Sequence, residues 1–291
     1  MLPQRPAILL FLCFFFAFPG LGWREPGHRA LARLAAAHLS PAARSRVAAL
    51  LRVKDAPDSV SDGMAEASVW ADNIKAQNHT GQWHFINIAV QDARSDMPSR
   101  CASGNCITDR IDIFRRQLAS HRTLSPDDLD ALRYVIHLVG DVQQPLHTTS
   151  DADMGGNCEQ VNSLQQARNL HDLWDGSIVR AINPSDARLA ESLNAYIGGL
   201  DPRNTTDWSN GNANDWAWES HQIAVRVVYQ RLHIPLEPVG FPRNCAEAPL
   251  QIQIFRPAVD SLYINDMKPI VRDQLAKGGL RLAALLNSAF D

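Results

Sequence analysis

The stretch HLVGDVQQPLH, residues 137–147, sets two histidines and an aspartate inside what otherwise reads as a buried helix. Leu129, Leu132, Ile136 and Val139 recur at three- and four-residue spacing, the stripe of a helix that faces a core. Ser125-Pro126 supplies an N-cap and an N1 proline, with Asp127 and Asp128 in the first turn. The pattern predicts a helix over 125–142. His137 and Asp141 then stack four residues apart on one face. Pro145 ends the helix, so His147 falls on a loop beside that pair. Three good metal ligands in an apolar helical context ask for either an ion pair or a metal.

The rest of the chain reads as mostly helical. Ser40-Pro41 repeats the start signal and opens a helix through Leu51. Further helical patterns cover roughly 28–39, 61–76, 107–120, 170–181, 185–198, 213–232 and 258–289. Only WHFINIAV, 83–90, looks strand-like, and Gly- and Pro-rich loops fall at 150–160 and 234–250. No composition break is long enough for a linker and no solenoid-type repeat occurs. The expectation is an all-α fold: one mainly helical domain over 23–291.

Residues 1–22 differ in kind. Arg5 precedes a twelve-residue apolar run, Ala7 to Phe18, followed by Pro19-Gly20-Leu21-Gly22. That is the pattern of a secretory signal peptide, too short for a comfortable membrane span. Cleavage after Gly22 would start the mature chain at Trp23, in a secreted or periplasmic setting. Cys101, Cys106, Cys158 and Cys245 remain, an even number that suggests two disulfides. Four cysteines allow three pairings. Cys101 and Cys106 flank the short loop CASGNC and are expected to close it, leaving Cys158 with Cys245; a cysteine zinc site is the less favoured alternative in an exported chain. The formal charge is −3, and loss of Arg5 makes it −4. Without a basic block, long nucleic acid has no face to grip through its phosphates. An anionic substrate must be held locally.

The H-x3-D pair recurs as His171 and Asp175 in NLHDLWDGS, and Asp72, His84 and His28 add further ligands upstream. A lone histidine on a helix is more often a packed residue than a ligand, and one H-x3-D pair serves equally as an ion pair. Two such pairs with a third histidine beside the first favour a metal. His38, His79, His121, His221 and His233 have no comparable partners and read as surface or structural.

Taken together, the mature N-terminal Trp and the strings WAD, HFIN, VIHLVGDVQQPLH, GGN, NLHDLWD and WAWES span nearly the whole mature chain. In that order they resemble the zinc-dependent single-strand nucleases of fungi and plants that also act as 3′-nucleotidases. Bacterial zinc phospholipases C share that fold and a related three-zinc site. The resemblance implies three Zn²⁺ per chain. Asp72, His84 and His137 would hold one, and His147, His171 and Asp175 a second. The third would take the α-amine and carbonyl of Trp23 with His28, and Asp141 would bridge it to the first. Signal cleavage and metal binding support each other, because the Trp23 amine is free only after cleavage. A catalytic zinc keeps an open position and acidifies bound water, which suits attack on phosphorus. Three such ions also make a local cation in an acidic protein.

The resemblance further implies a catalytic role for Lys75 near the scissile phosphate, beside Asp72 and Asp141. It places Phe85 against a base; Met154, just before Gly155-Gly156-Asn157, is read as the other wall of that pocket, and Asn157 as a further substrate contact. Stacking on an aromatic ring tolerates any base. Asn87 departs from the fungal aspartate, and its amide both donates and accepts, so base preference is left open. The implied substrates are single-stranded DNA and RNA, cut to 5′-phosphorylated products, and 3′-nucleotides. A phospholipase C acting on phospholipid head groups is the alternative, kept open by Trp208, Trp216 and Trp218. A non-catalytic zinc-binding protein is the third reading, disfavoured because structural zinc sites are closed. Asn78 and Asn204 stand in N-x-T sequons.

Overall fold

A computed structural model of the chain describes residues 23–101, 104–120, 125–163, 167–237 and 240–291. Nearly all of its regular structure is helical, as an all-α fold requires. In chain order the helices are α1 Glu25–Ala37, α2 Pro41–Leu51, α3 Pro57–Ala67, α4 Trp70–Ile74, α5 Met97–Arg100, α6 Ile107–Ser120 and α7 Pro126–Asp141. They continue as α8 Leu170–Asp172, α9 Ile178–Ile182, α10 Asp186–Gly198, α11 Pro202–Ser209, α12 Ala213–Ile223, α13 Leu250–Ile254 and α14 Ser261–Phe290. The Ser-Pro starts behave as read. Ser40 Oγ accepts the Ala43 N–H at 3.1 Å. Ser125 and Asp128 form a reciprocal capping box: Ser125 N–H donates to Asp128 Oδ2 at 2.8 Å and Asp128 N–H to Ser125 Oγ at 3.3 Å.

One apolar cluster runs from Trp23 to Leu286. Helix α1 packs on α3, α10 and α14, while α7 lies against α6 and α14. Of the stripe residues on α7, Leu132, Ile136 and Val139 are fully buried. This central helix is therefore enclosed on both faces, and anything polar on it must find its partner inside the protein. A smaller cluster of Ala152, Cys158, Ala248 and Ile252 sits under the loop after His147.

Three expectations change. The strand-like 83–90 segment contains a 3₁₀ turn, Gly81–His84, and only a two-residue strand, β1 Ile88–Ala89. That strand pairs in parallel with β2 Thr149–Ser150, in the register Ile88 to Thr149. Trp83 decides the turn, because its ring packs against Phe114 of α6 and Tyr134 of α7. The 61–76 helix breaks at Ser68 into α3 and α4. The 170–181 and 213–232 helices each contain a π turn, Leu173–Ser177 and Ala224–Tyr229. Helices α5, α11 and α13 are too short for a periodic signal. A second parallel pair joins β3 Asn162–Ser163 to β4 Ala258–Val259. The signal-peptide reading of 1–22 and His121 fall outside the described residues. Among those residues no helix is long and apolar enough to cross a membrane.

Candidate metal centre and cleft

The break at Ser68 builds the first ligand group. A helix end leaves carbonyls without intrahelical partners, and Ser68 O lies 2.6 Å from His137 Nδ1. That contact turns Nε2 of His137 toward Asp72 Oδ1, 3.6 Å away, and His84 Nδ1, 3.0 Å away. Asp72, His84 and His137 thus offer three ligand atoms close enough for one ion. Their residues come from α4, the 3₁₀ turn and α7. Lys75 follows Asp72 by one turn, and its Nζ donates to Asp72 Oδ1 at 2.8 Å.

His147, His171 and Asp175 form the second group. Here too a backbone carbonyl orients each ring. His147 Nδ1 lies 2.9 Å from His84 O, and His171 Nδ1 lies 2.6 Å from Gly155 O. Asp175 lies in the π turn, 3.1 Å from His171 Nε2. A π turn inside a helix is frequent at functional sites. Gln144 Nε2 donates to Asp175 Oδ1 and holds the carboxylate in place.

His28, His137 and Asp141 form the third group. The residues expected to hold two separate ions are therefore linked through α7. Asp141 reaches furthest: its oxygens lie 3.2 Å from His28 Nε2, 3.0 Å from both His84 Nδ1 and His137 Nε2, and 3.5 Å from His147 Nδ1. Trp23 is fully buried, and its indole N–H donates to Gly140 O at 2.9 Å, which brings Trp23 against α7. Gly140 also leaves room for the His28 ring against α7. A Cβ there would stand 2.9 Å from His28 Nδ1. Alanine favours a helix over glycine by roughly 0.5–1 kcal/mol, yet Gly140→Ala is expected to push His28 aside and to lower metal content by about one ion per chain. Elemental analysis decides this, and an alanine variant with undiminished metal would show that His28 is no ligand.

The electrostatics fit a cation. Burial opposes charge on His137, but Asp141 and Asp72 outweigh it and hold its pKa up at about 9. Burial likewise opposes charge on His171, and Asp175 raises it to about 9. His28, His84 and His147 are pushed below their ordinary value, first by burial. Burial alone would raise the Asp141 carboxyl, but His137 and His147 hold it well below the usual range. Among the described residues, both ring nitrogens of His28, Nε2 of His84, Nε2 of His147 and Asp141 Oδ1 are buried without a hydrogen-bond partner. Buried polar atoms are normally paired. Imidazole nitrogens and carboxylate oxygens left over at one point form a donor set that suits zinc.

Above these groups opens a cleft of about 820 Å³. His84, His147 and His171 reach its floor, and Lys75, Phe85, Asn87, Met154 and Asn157 line it. The sequence-derived substrate residues are thus brought together. Phe241 and Arg243, from the 234–250 loop, also line it and carry no motif that the sequence reading could catch. Neither did Gln144 or the carbonyls of Ser68 and Gly155, since a backbone oxygen has no residue signature. Trp208, Trp216 and Trp218 do not line this cleft; Trp216 faces a separate cavity of about 440 Å³ bounded by α6, α12 and α14. The cysteines pair as expected, Cys101 with Cys106 and Cys158 with Cys245. The second bond ties the loop bearing Met154 and Asn157 to the loop bearing Phe241 and Arg243.

The S1/P1 nuclease family profile matches residues 23–291. Endonuclease 2 of Arabidopsis thaliana is 28% identical over 287 residues, covering 94% of this chain and 93% of the relative. Nuclease P1 of Penicillium citrinum is 27% identical over 286 residues, covering 91% and 97%. Nuclease S1 of Aspergillus oryzae is 27% identical over 275 residues, covering 91% of each.

Proposed function

The chain belongs to the S1/P1 nuclease family, and from that premise we propose that it is a zinc-dependent phosphodiesterase. Its substrates are single-stranded DNA and RNA, which it cuts to 5′-phosphorylated products, and 3′-nucleotides, from which it removes the phosphate. The observation that carries this reading is the convergence of three ligand groups, linked through His137 and Asp141, beneath a cleft with an aromatic wall.

In this reading Asp72, His84 and His137 hold one zinc, and His147, His171 and Asp175 another. His28 and the Trp23 backbone would hold the third, with Asp141 serving both that ion and the first. Bound zinc supplies a Lewis acid at the phosphoryl oxygens and water acidified toward neutrality. The chain does the rest. Lys75, held by Asp72 at the cleft edge, meets the scissile phosphate. Phe85 stacks a base, and Asn87 meets its edge with a group that both donates and accepts. Met154 and Asn157 close the opposite wall. The carbonyls of Ser68, His84 and Gly155 fix which nitrogen each histidine presents, the orienting role that outer partners play at metal sites. The apolar leader at 1–22 and the paired cysteines support export to a secreted or periplasmic setting.

About three zinc ions per chain are expected in protein purified with metal present, from the ligand count. Elemental analysis giving one or none would end the three-ion reading. The function itself is tested by comparing release of 5′-nucleotides from single-stranded DNA with release of phosphocholine from a lipid, each with and without chelator. Nucleotide release that the chelator stops is expected. Phosphocholine release without nucleotide release would make the enzyme a phospholipase, and neither product would favour a non-catalytic zinc protein.

A further inference from the structure

Phe241 and Arg243 line the cleft yet belong to none of the ligand groups. Phe241 is 43% exposed, and among the described residues no other phenylalanine, tyrosine or tryptophan is as open to solvent. An apolar ring in water forgoes the gain from burial. Its position is nonetheless fixed. The Arg100 guanidinium lies over the ring, 4.8 Å from its centre, a cation–π contact. Arg100 is itself gripped by Asp92: its Nε and Nη2 donate to Oδ2 and Oδ1, each at 2.7 Å. Asp92 Oδ2 also accepts the Ala89 N–H at 2.9 Å, which ties this bracket to β1. Arg100 covers one side of the ring, and what stays exposed borders the cleft.

Arg243 is held in place as well. Its backbone N–H donates to Glu247 Oε2 at 3.0 Å, and its Nη2 lies 3.1 Å from Glu247 Oε1 while the side chain stays 88% exposed. Cys245, two residues on, is bonded to Cys158, which follows Asn157 of the cleft. The segment 241–245 is thus pinned at one end by Arg100 and at the other by a disulfide. Among the described residues that line the cleft none is acidic, and Lys75 and Arg243 are cationic. At about 820 Å³ the cleft is large for a single base on Phe85, near the top of the roughly 300–1,000 Å³ of small-molecule sites. Proteins that hold single strands join cationic groups to aromatic rings on which successive bases stack. This cleft has two such rings, Phe85 and Phe241.

We propose that Phe241 stacks a second base of the substrate and that Arg243 meets a phosphate of the same strand, so that the cleft holds at least two nucleotides. This subsite rests on the nuclease function proposed above and adds a length requirement to it. Stacking on a ring tolerates any base. Phe241 therefore favours longer and unpaired strands without selecting a sequence. Arg243 adds an electrostatic, sequence-independent grip that salt weakens.

The test uses the zinc-loaded chain and two phosphodiesters, tetrathymidylate and thymidine 3′-methyl phosphate, the second carrying a single base. Phe241→Ala should lower the ratio of kcat/KM, tetranucleotide over single-base diester, roughly 5- to 150-fold, the worth of one stacked base. Where the single-base diester is too slow to follow, its inhibition constant takes the place of its kcat/KM. Phe241→Tyr keeps the ring and should hold the ratio within about twofold of wild type. Leu262→Ala, at an exposed residue outside the cleft, should leave the ratio where it is. Arg243→Gln should flatten the dependence of log KM on log salt for tetrathymidylate by about 0.7, the share of one phosphate contact on a single strand. Should the alanine variant fail to fold, Phe241→Leu keeps the apolar bulk without the ring, and the ratio should fall there too. An equal loss on both substrates leaves the ratio unmoved, describes a structural role and overturns the base subsite. A salt slope unchanged by Arg243→Gln overturns the phosphate contact. A wild-type chain that cuts neither diester ends the nuclease function and the subsite with it, whereas one that cuts both with an unmoved ratio in the variants ends the subsite alone.

Discussion

Asp141→Asn is expected to lower kcat/KM on single-stranded DNA by about 10³-fold or more, beyond the 10–100-fold typical of an outer-shell partner. The substitution hardly changes volume, so the packing around α7 survives. What disappears is a charge within 3.5 Å of His28, His84, His137 and His147. No other carboxylate at the site approaches so many rings, and it is the one asked to serve two ions. Zinc content should fall in parallel. Lys75→Ala is expected to lose only about 10²-fold, the range for one group that stabilises developing charge, with zinc content unchanged. If the lysine variant proves the more damaged of the two, Asp141 does not bridge.

Single-stranded DNA should be cut roughly ten- to a thousandfold faster than the same strand annealed to its complement. Phe85 follows His84 in the chain and lines the same cleft. A base reaches it only when unstacked, and drawing a base from a duplex costs a few kcal/mol. At about 1.4 kcal/mol per tenfold in rate, that cost sets the range. The acidic exterior offers a duplex no compensating grip on its phosphates. The products should carry 5′-phosphates, identified by mass spectrometry of one oligonucleotide digested alone and annealed. Equal rates on the two forms would dispose of the base-pocket argument, and 3′-phosphate ends would contradict the proposed cut to 5′-phosphorylated products.

Much of the candidate site was legible because its residues obey local rules. His137 and Asp141, and His171 and Asp175, sit four apart, so a helical reading alone puts each pair on one face. The caps at Ser40 and Ser125 were legible for the same reason, as was the closing of Cys101 onto Cys106 across a short loop. The grouping of ligands into three sets rested on resemblance. The structure brings those residues together and adds a link that spacing does not contain, with His137 close enough to serve two groups.

The sequence by itself determined that the chain is helical, that α7 is buried, and that its histidines need partners of opposite charge or a metal. These follow from periodicity and from the cost of burying polar groups. Only the tertiary structure decided how the partners meet. His84 reaches Asp141 across 57 residues, through a 3₁₀ turn pinned by Trp83 and a two-residue parallel pairing. Asp175 reaches its place through a π turn. The rings are aimed by the carbonyls of Ser68, His84 and Gly155. A backbone oxygen is the same in every residue, and a two-residue strand is stable only against the surface that holds it. Neither leaves a mark in composition or period.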